Sequence, residues 1–251
     1  MTIAEKLTLI AENQQRVYEA GKSAGGGGDN WYDTFWDIFQ QNGNRTNYGN
    51  AFSGATANDA CVGWTNVNFK PKYSFNNILG YSMFDNSRIE GSLPEILNEL
   101  GITLTFSGYQ SSGFTNTQFT EIDYINNSMS TMVNVFTNNK RLKTLKIGKI
   151  PASTKFQTVF TGCSALENLT LDGVIAQNGF DVSQSPLLTK ASIENIINTL
   201  SPTTSGMSVT LSKEAVNNAF GIDVDDASTY PEGSEYYTLR HSRDNWTINY
   251  I

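Results

Sequence analysis

The chain has one His and two Cys. A closed Cys/His zinc site takes four ligands, and this set cannot supply them. A Ser–His–Asp or Cys–His nucleophile would have to use His241. That residue stands between Arg240 and Arg243, with no acid or nucleophile implied beside it, and reads as a surface histidine. Cys61 and Cys163 are far apart and match no metal or redox spacing, so both are expected as reduced thiols. Charge is scarce as well. Charged residues are 16% of the 251, against roughly 25% in ordinary soluble domains. The balance is acidic, −7, which speaks against a nucleic-acid partner, since a phosphate backbone is bound by clustered Lys/Arg. No apolar run approaches the roughly 18 residues of a membrane helix. The first residues lack a basic start followed by an apolar core, so a signal peptide is not expected either. These absences describe a soluble chain made in a cytoplasm, without membrane insertion.

Uncharged polar residues fill the gap: Asn, Thr and Ser abound beside 21 Gly. Aromatics at 12% argue against full-chain disorder. Length allows one large or two small domains with a sizeable core.

The first 24 residues predict a helix. Ile3, Leu7, Ile10, Gln14 and Val17 alternate at spacings of four and three, a heptad seam, with Thr2 as N-cap. Leu7 at a with Ile3 and Ile10 at d leans towards three or four strands, and polar Gln14 at a could set register. Two readings stay open: an oligomerising coiled coil, a trimer foremost, or an amphipathic helix docked on its own domain. Gly25–Gly28 come next and predict a flexible joint over residues 25–30, which favours the partner-binding reading. Gly21-Lys22-Ser23 is no phosphate loop, because Arg16 stands where its first glycine belongs and a helix precedes it.

Residues 31–110 read as a mixed N-terminal cap. Trp31, Phe35, Ile38 and Phe39 fall at helical spacing, and Trp64, Phe69, Tyr73 and Phe75 are scattered aromatics that pack in a core or stack on a sugar. A short helix over 94–100 opens with Pro94. Its Glu95 and Glu99 share one face, whereas a glycosidase sets two carboxylates across a cleft.

Residues 111–188 carry a repeat. Phe136, Leu142, Leu145, Ile147 and Ile150 recur as Phe160, Leu166, Leu169, Leu171 and Val174, each advanced by 24. Phe114, Phe119, Ile122 and Tyr124 give a looser earlier copy, and Met83-Phe84 a degenerate one. A period of 20–29 with L-x-x-L-x-L marks a leucine-rich repeat, in which stacked turns bury a face that no turn buries alone. The residues between the inward ones face out: Glu121, Asp123 and Ile125; Thr144, Lys146 and Gly148; Asn168, Thr170 and Asp172. Stacked in register, Glu121, Thr144 and Asn168 form one polar row, and Asp123, Lys146 and Thr170 another. Such rows bind a glycan or protein, or are a solvated face with Asp123–Lys146 as an exposed pair. Lys140, Arg141, Lys143, Lys146, Lys149 and Lys155 cluster in sequence, as a solvated face or an anionic-polymer contact. Cys163 is expected buried at a repeat corner. Asp223, Asp225 and Asp226 hint at calcium, but Ala227 and Ser234 stand where the EF-hand spacing needs ligands, so no metal is expected.

The stretch Val159-Phe160-Thr161-Gly162-Cys163-Ser164-Ala165-Leu166-Glu167-Asn168-Leu169 resembles the BspA-like leucine-rich repeats, with Met83-Phe84 and Val135-Phe136 as matching starts. Residues 189–251 read as a C-terminal cap of helix and strands. Its helix with Ile193, Ile196, Ile197 and Leu200, its strand Val209-Thr210-Leu211 and its ending Asn245-Trp246-Thr247-Ile248 are similar to the ends of such proteins in gut bacteria and their phages. Gly63-Trp64 and Phe69-Lys70-Pro71-Lys72-Tyr73 are similar to phage-encoded members. The resemblance implies a parallel β solenoid used in adhesion or partner binding, with no shared catalytic residues and no cofactor. The expected fold is α+β, a short leucine-rich-repeat solenoid with an N-terminal coiled-coil helix and non-repeat caps. The expected function is non-enzymatic: a phage virion protein, tail or surface fibre, that recognises a glycan or protein of the host surface and meets other virion proteins through residues 1–24. A bacterial surface adhesin is the alternative, and a tail-associated polysaccharide depolymerase the third reading.

Overall fold

A computed structural model of the chain describes residues 78–79, 84–86, 90–95, 104–111 and 113–251. All fall within the compact unit Thr46–Ile251. The heptad seam of residues 1–24, the glycine joint, Cys61, Met83, Glu99 and the aromatics of 31–75 lie outside the described residues.

Local chemistry sets the elements. β1 (Ile78–Leu79), β2 (Glu90–Ser92), β3 (Leu104–Ser111) and β4 (Gln118–Val133) come first, then β5 (Thr144–Ile150), β6 (Lys155–Gln157), β7 (Asn168–Gly173) and β8 (Phe180–Asp181). The C-terminal part alternates: α1 (Lys190–Thr199), β9 (Met207–Leu211), α2 (Lys213–Phe220), α3 (Glu235–His241) and β10 (Trp246–Tyr250). Helix α1 buries Ile193, Ile196 and Ile197, one stripe at helical spacing. Ser212 caps α2 by accepting from the Ala215 amide, and Ser234 caps α3 by accepting from the Tyr237 amide. Gly221 closes α2 with a left-handed backbone, φ 65°.

Helices and parallel sheets combine in one mixed α/β arrangement, and among the described residues every strand pair is parallel. The long β4 serves two ladders. Its first half pairs with β2 and β5, and β5 then pairs with β7. Its second half pairs with β3 and β6. A second sheet has the order β10-β9-β8.

The corners between ladders stack too. The amides of Phe114 and Phe136 donate to the carbonyls of Val135 and Val159, and those of Asn116 and Asn138 to Thr137 and Thr161. Asn86, Asn116 and Asn138 hold left-handed backbone at φ 60°, 56° and 62°, and Gly162 takes the same place at 76°. Asparagine accepts this region better than other side chains. These three Asn therefore have a local cause in the tight corners. Inside them the rings of Phe84, Phe114, Phe136, Phe160 and Phe180 succeed one another at centroid distances of 5.5, 5.7, 6.2 and 5.1 Å. Phe119, Ile122, Tyr124, Leu142, Leu145, Ile147, Leu166, Leu169 and Leu171 complete this core.

Two expected positions are corrected. Val174 is not an inward residue: its side chain is 39% exposed. The register shifts after Ile147↔Leu171, so that Ile150 meets Gly173. Gly173, at φ 137°, has no room for a Cβ, which would lie 2.3 Å from the Ile150 carbonyl oxygen. Ile175 takes the core place instead and is fully buried. Gly148 is likewise buried rather than outward-facing.

The edge of β7 is closed by side chains of α1 and not by another strand. Ser192 Oγ accepts from the Leu169 amide at 2.9 Å, and Asn195 Oδ1 from the Leu171 amide at 2.6 Å. Asn195 Nδ2 returns a bond to the Leu171 carbonyl. Two helical side chains thus satisfy the groups a next strand would have used.

Candidate binding face

Alternation along β4, β5 and β7 sends every second side chain outward. Leu145 and Ile147 are buried between Thr144, Lys146 and Lys149, and Leu169 and Leu171 between Asn168, Thr170 and Asp172. Register places Glu121 beside Thr144 beside Asn168, and Asp123 beside Lys146 beside Thr170. The two expected rows therefore lie side by side across three strands, at about 4.7–4.9 Å per step. Asp172 is exposed at the end of β7.

The first row is longer than its sequence pattern indicated. Ser92 on β2 pairs with Glu121, and its hydroxyl donates to Glu121 Oε2 at 2.8 Å. At the other end the Thr189 hydroxyl donates to Asn168 Oδ1 at 3.5 Å. Neither residue belongs to the Phe-x5-Leu-x2-Leu-x-Leu pattern. Only the Thr189-Lys190 helix start just past the repeat hints that α1 closes the row.

Charge on the face is largely paired. Lys146 Nζ lies 3.5 Å from Asp123 Oδ2, with the two side chains 55% and 40% exposed. Lys143 Nζ lies 3.6 Å from Glu167. Exposed pairs of this kind contribute about 0.2–1 kcal/mol. Asp123 Oδ1 is enclosed and accepts no hydrogen bond from the protein. The basic sequence cluster does not gather into one patch of strand: Lys146 and Lys149 lie on β5, Lys155 on β6 of the other ladder, and Lys140 and Arg141 in the turn before β5.

The remaining candidates take structural places. Cys163 is buried, and its Sγ donates to the Phe136 carbonyl at 3.0 Å. Burial pushes its thiol up to about 12. Thiolate is the reactive species, so Cys163 is expected to resist a disulfide-forming reagent at pH 8 and to react at once in denaturant. Peptide mapping after timed labelling checks this, and labelling of the folded chain at the rate of a free thiol would contradict it. Asp226 Oδ1 accepts from the Ser228 amide and hydroxyl, which holds its carboxyl below the usual range. Asp223 accepts from the Asp225 amide, and Asp225 pairs with Lys213. Asp223 and Asp226 thus cap turns, and Asp225 is held in an ion pair. His241 is corrected in one respect: an acid does stand beside it. Its Nδ1 lies 2.7 Å from Asp244 Oδ1, three residues on, and its ring lies against Tyr237.

Comparison with protein-family models, with characterised proteins and with solved structures finds no match to this chain.

Proposed function

We propose that this chain is a non-enzymatic phage virion protein, at the tail or in a surface fibre, that recognises the host bacterial surface through a short leucine-rich-repeat solenoid. The observation that carries this reading is the pair of polar rows, Glu121–Thr144–Asn168 and Asp123–Lys146–Thr170, held in register on three parallel strands. A rigid sheet fixes donors and acceptors before a ligand arrives, which reduces the entropy lost on binding. Paired charge and the exposed amide of Asn168 and hydroxyl of Thr170 suit a hydroxyl-rich partner such as a glycan. The heptad seam of residues 1–24 and the joint behind it supply, in sequence, a means of attachment to other virion proteins and of trimer formation.

The test is co-sedimentation of labelled full-length protein with intact host cells. Thr144→Trp/Thr170→Trp covers both rows without touching the core. It is expected to weaken binding at least tenfold while the melting temperature stays within a few degrees. Equal binding by both proteins would remove the face from the function. Finding the protein on host cells and never in purified particles would favour the adhesin reading, and release of sugar from host capsule would favour the depolymerase.

A further inference from the structure

We propose that β10 is a docking edge for β10 of a second copy of this chain, paired antiparallel about a dyad through Ile248. This contact rests neither on the host-recognition reading nor on residues 1–24.

β10 ends its sheet: β9 pairs with one side of it, and no strand among the described residues pairs with the other. Natural edges are blunted by lysine, proline, bulges or a covering element. β7 obeys that rule through Ser192 and Asn195. β10 does not. Its sequence is Trp246-Thr247-Ile248-Asn249-Tyr250, uncharged and free of proline, in unbroken register with β9 over five residue pairs. Ile248 and Tyr250 are half-buried, whereas their β9 neighbours Val209 and Leu211 are fully buried.

The backbone shows which groups the open edge presents. The Ile251 amide donates to the Leu211 carbonyl, and the Lys213 amide donates to the Ile251 carbonyl. Ile251 therefore directs both its groups at β9. In a parallel ladder direction alternates along the strand. Thr247 and Asn249 then face β9 as well, and Ile248 and Tyr250 face outward with both groups. Trp246 presents its carbonyl there, while its amide is already bonded to the Arg243 carbonyl.

An antiparallel partner needs residues that exchange amide and carbonyl in pairs, two residues apart. A dyad through Ile248 meets that requirement. Ile248 bonds its own copy twice, and each Tyr250 amide reaches the Trp246 carbonyl opposite. Side chains agree with the backbone, because the strand reads the same in both directions by type: aromatic, polar, apolar, polar, aromatic. The half-buried Ile248 meets its own copy at the dyad, and exposed Thr247 comes to lie beside exposed Asn249, while Trp246 stays buried in its own copy with its indole N–H on the Ser201 carbonyl. With no charge on the strand, self-pairing brings no like charges together. A register moved by one pair, with Asn249 facing its own copy, would set Thr247 against Ile251 and lose the pairing of Ile248 with itself. A two-fold contact of one patch with itself also closes on two copies and does not propagate.

The test uses full-length Thr247→Cys and Asn249→Cys proteins, alone and mixed, oxidised by dissolved oxygen and run on non-reducing gels. Both substitutions are exposed and leave the ladder to β9 intact. In the proposed register position 247 faces 249 across a non-hydrogen-bonded pair, about 4.5 Å between Cα atoms, which a disulfide spans. The mixture is expected to give at least tenfold more cross-linked dimer than either variant alone, with the 247–249 link identified by peptide mapping. No such link in the mixture overturns the proposal. Asn249→Cys cross-linking to itself as readily overturns the dyad at Ile248.

Discussion

Phe136→Ala is expected to cost about 3–5 kcal/mol, the range for emptying a buried aromatic site. The ring is fully buried and lies between two stacked neighbours, Phe114 at 5.7 Å and Phe160 at 6.2 Å. Tyr124 meets its edge at 5.3 Å. Aromatic contacts add about 0.5–1.5 kcal/mol beyond area. Relaxation cannot recover much of this, because the amides and carbonyls on either side are tied to the next corner. Domains of this kind hold about 5–15 kcal/mol in total. Urea unfolding should therefore show a midpoint lowered by about a fifth or more with an unchanged slope. Phe136→Leu, which leaves part of the volume filled, should lose about half as much. A loss below about 1 kcal/mol for the alanine variant would mean that the ring ladder does not hold the corners together.

The middle of that ladder was legible in the sequence because Phe114, Phe136 and Phe160 recur at spacings of 22 and 24, whereas Phe180 lies outside the repeat pattern. Phe136 and Phe160 are 24 apart, as are Leu145 and Leu169, and register joins each of the latter to the other. The step from the first copy is shorter: Ile122 faces Leu145 and Tyr124 faces Ile147, 23 residues on. Periodicity tolerates such a change, since a corner absorbs one residue without moving the strand. It fails where the strand itself departs from regularity. Val174 satisfied the 24-residue rule and still faces solvent, because Gly173 lies against the Ile150 backbone and displaces the register of the residues beyond it. Helix α1, β9 and β10 lie where a C-terminal helix and strands were expected, but α1's second task was not legible. Ser192 and Asn195 look like the polar side of a helix, and only the fold brings them to the open edge of β7.

The candidate face was readable to the same extent. Alternation and a fixed repeat were enough to place Glu121 by Thr144 and Asp123 by Lys146. Ser92 and Thr189 extend the first row from elements outside the repeat, so no spacing rule reaches them. The doubled use of β4 was also hidden. An apolar pattern says that a strand is buried, and does not say that its two halves serve two ladders.

The second large effect belongs to a polar residue. Asn139→Ala is expected to cost about 3–5 kcal/mol, near the upper end for a single substitution. Asn139 is fully buried. Its Nδ2 donates to the carbonyls of Phe114 and Phe136 at 2.7 and 2.9 Å, and its Oδ1 accepts from the Thr117 amide and hydroxyl, each at 2.7 Å. One side chain thus ties two consecutive corners. Alanine removes four bonds and leaves buried groups facing a void, and each such orphan costs about 1–3 kcal/mol. Equivalent places hold smaller versions of the same device. Cys163, 24 residues on, donates to the Phe136 carbonyl, and Ser185 donates to the Cys163 carbonyl. Asn139→Ser should therefore recover one bond and about a third of the loss, while Asn138→Ala beside it, exposed in left-handed backbone, should cost only about 1 kcal/mol. Urea midpoints of the three variants decide the matter. If Asn139→Ala falls no further than Asn138→Ala, the corner is held by backbone bonds and ring packing alone, and the buried amide is incidental to it.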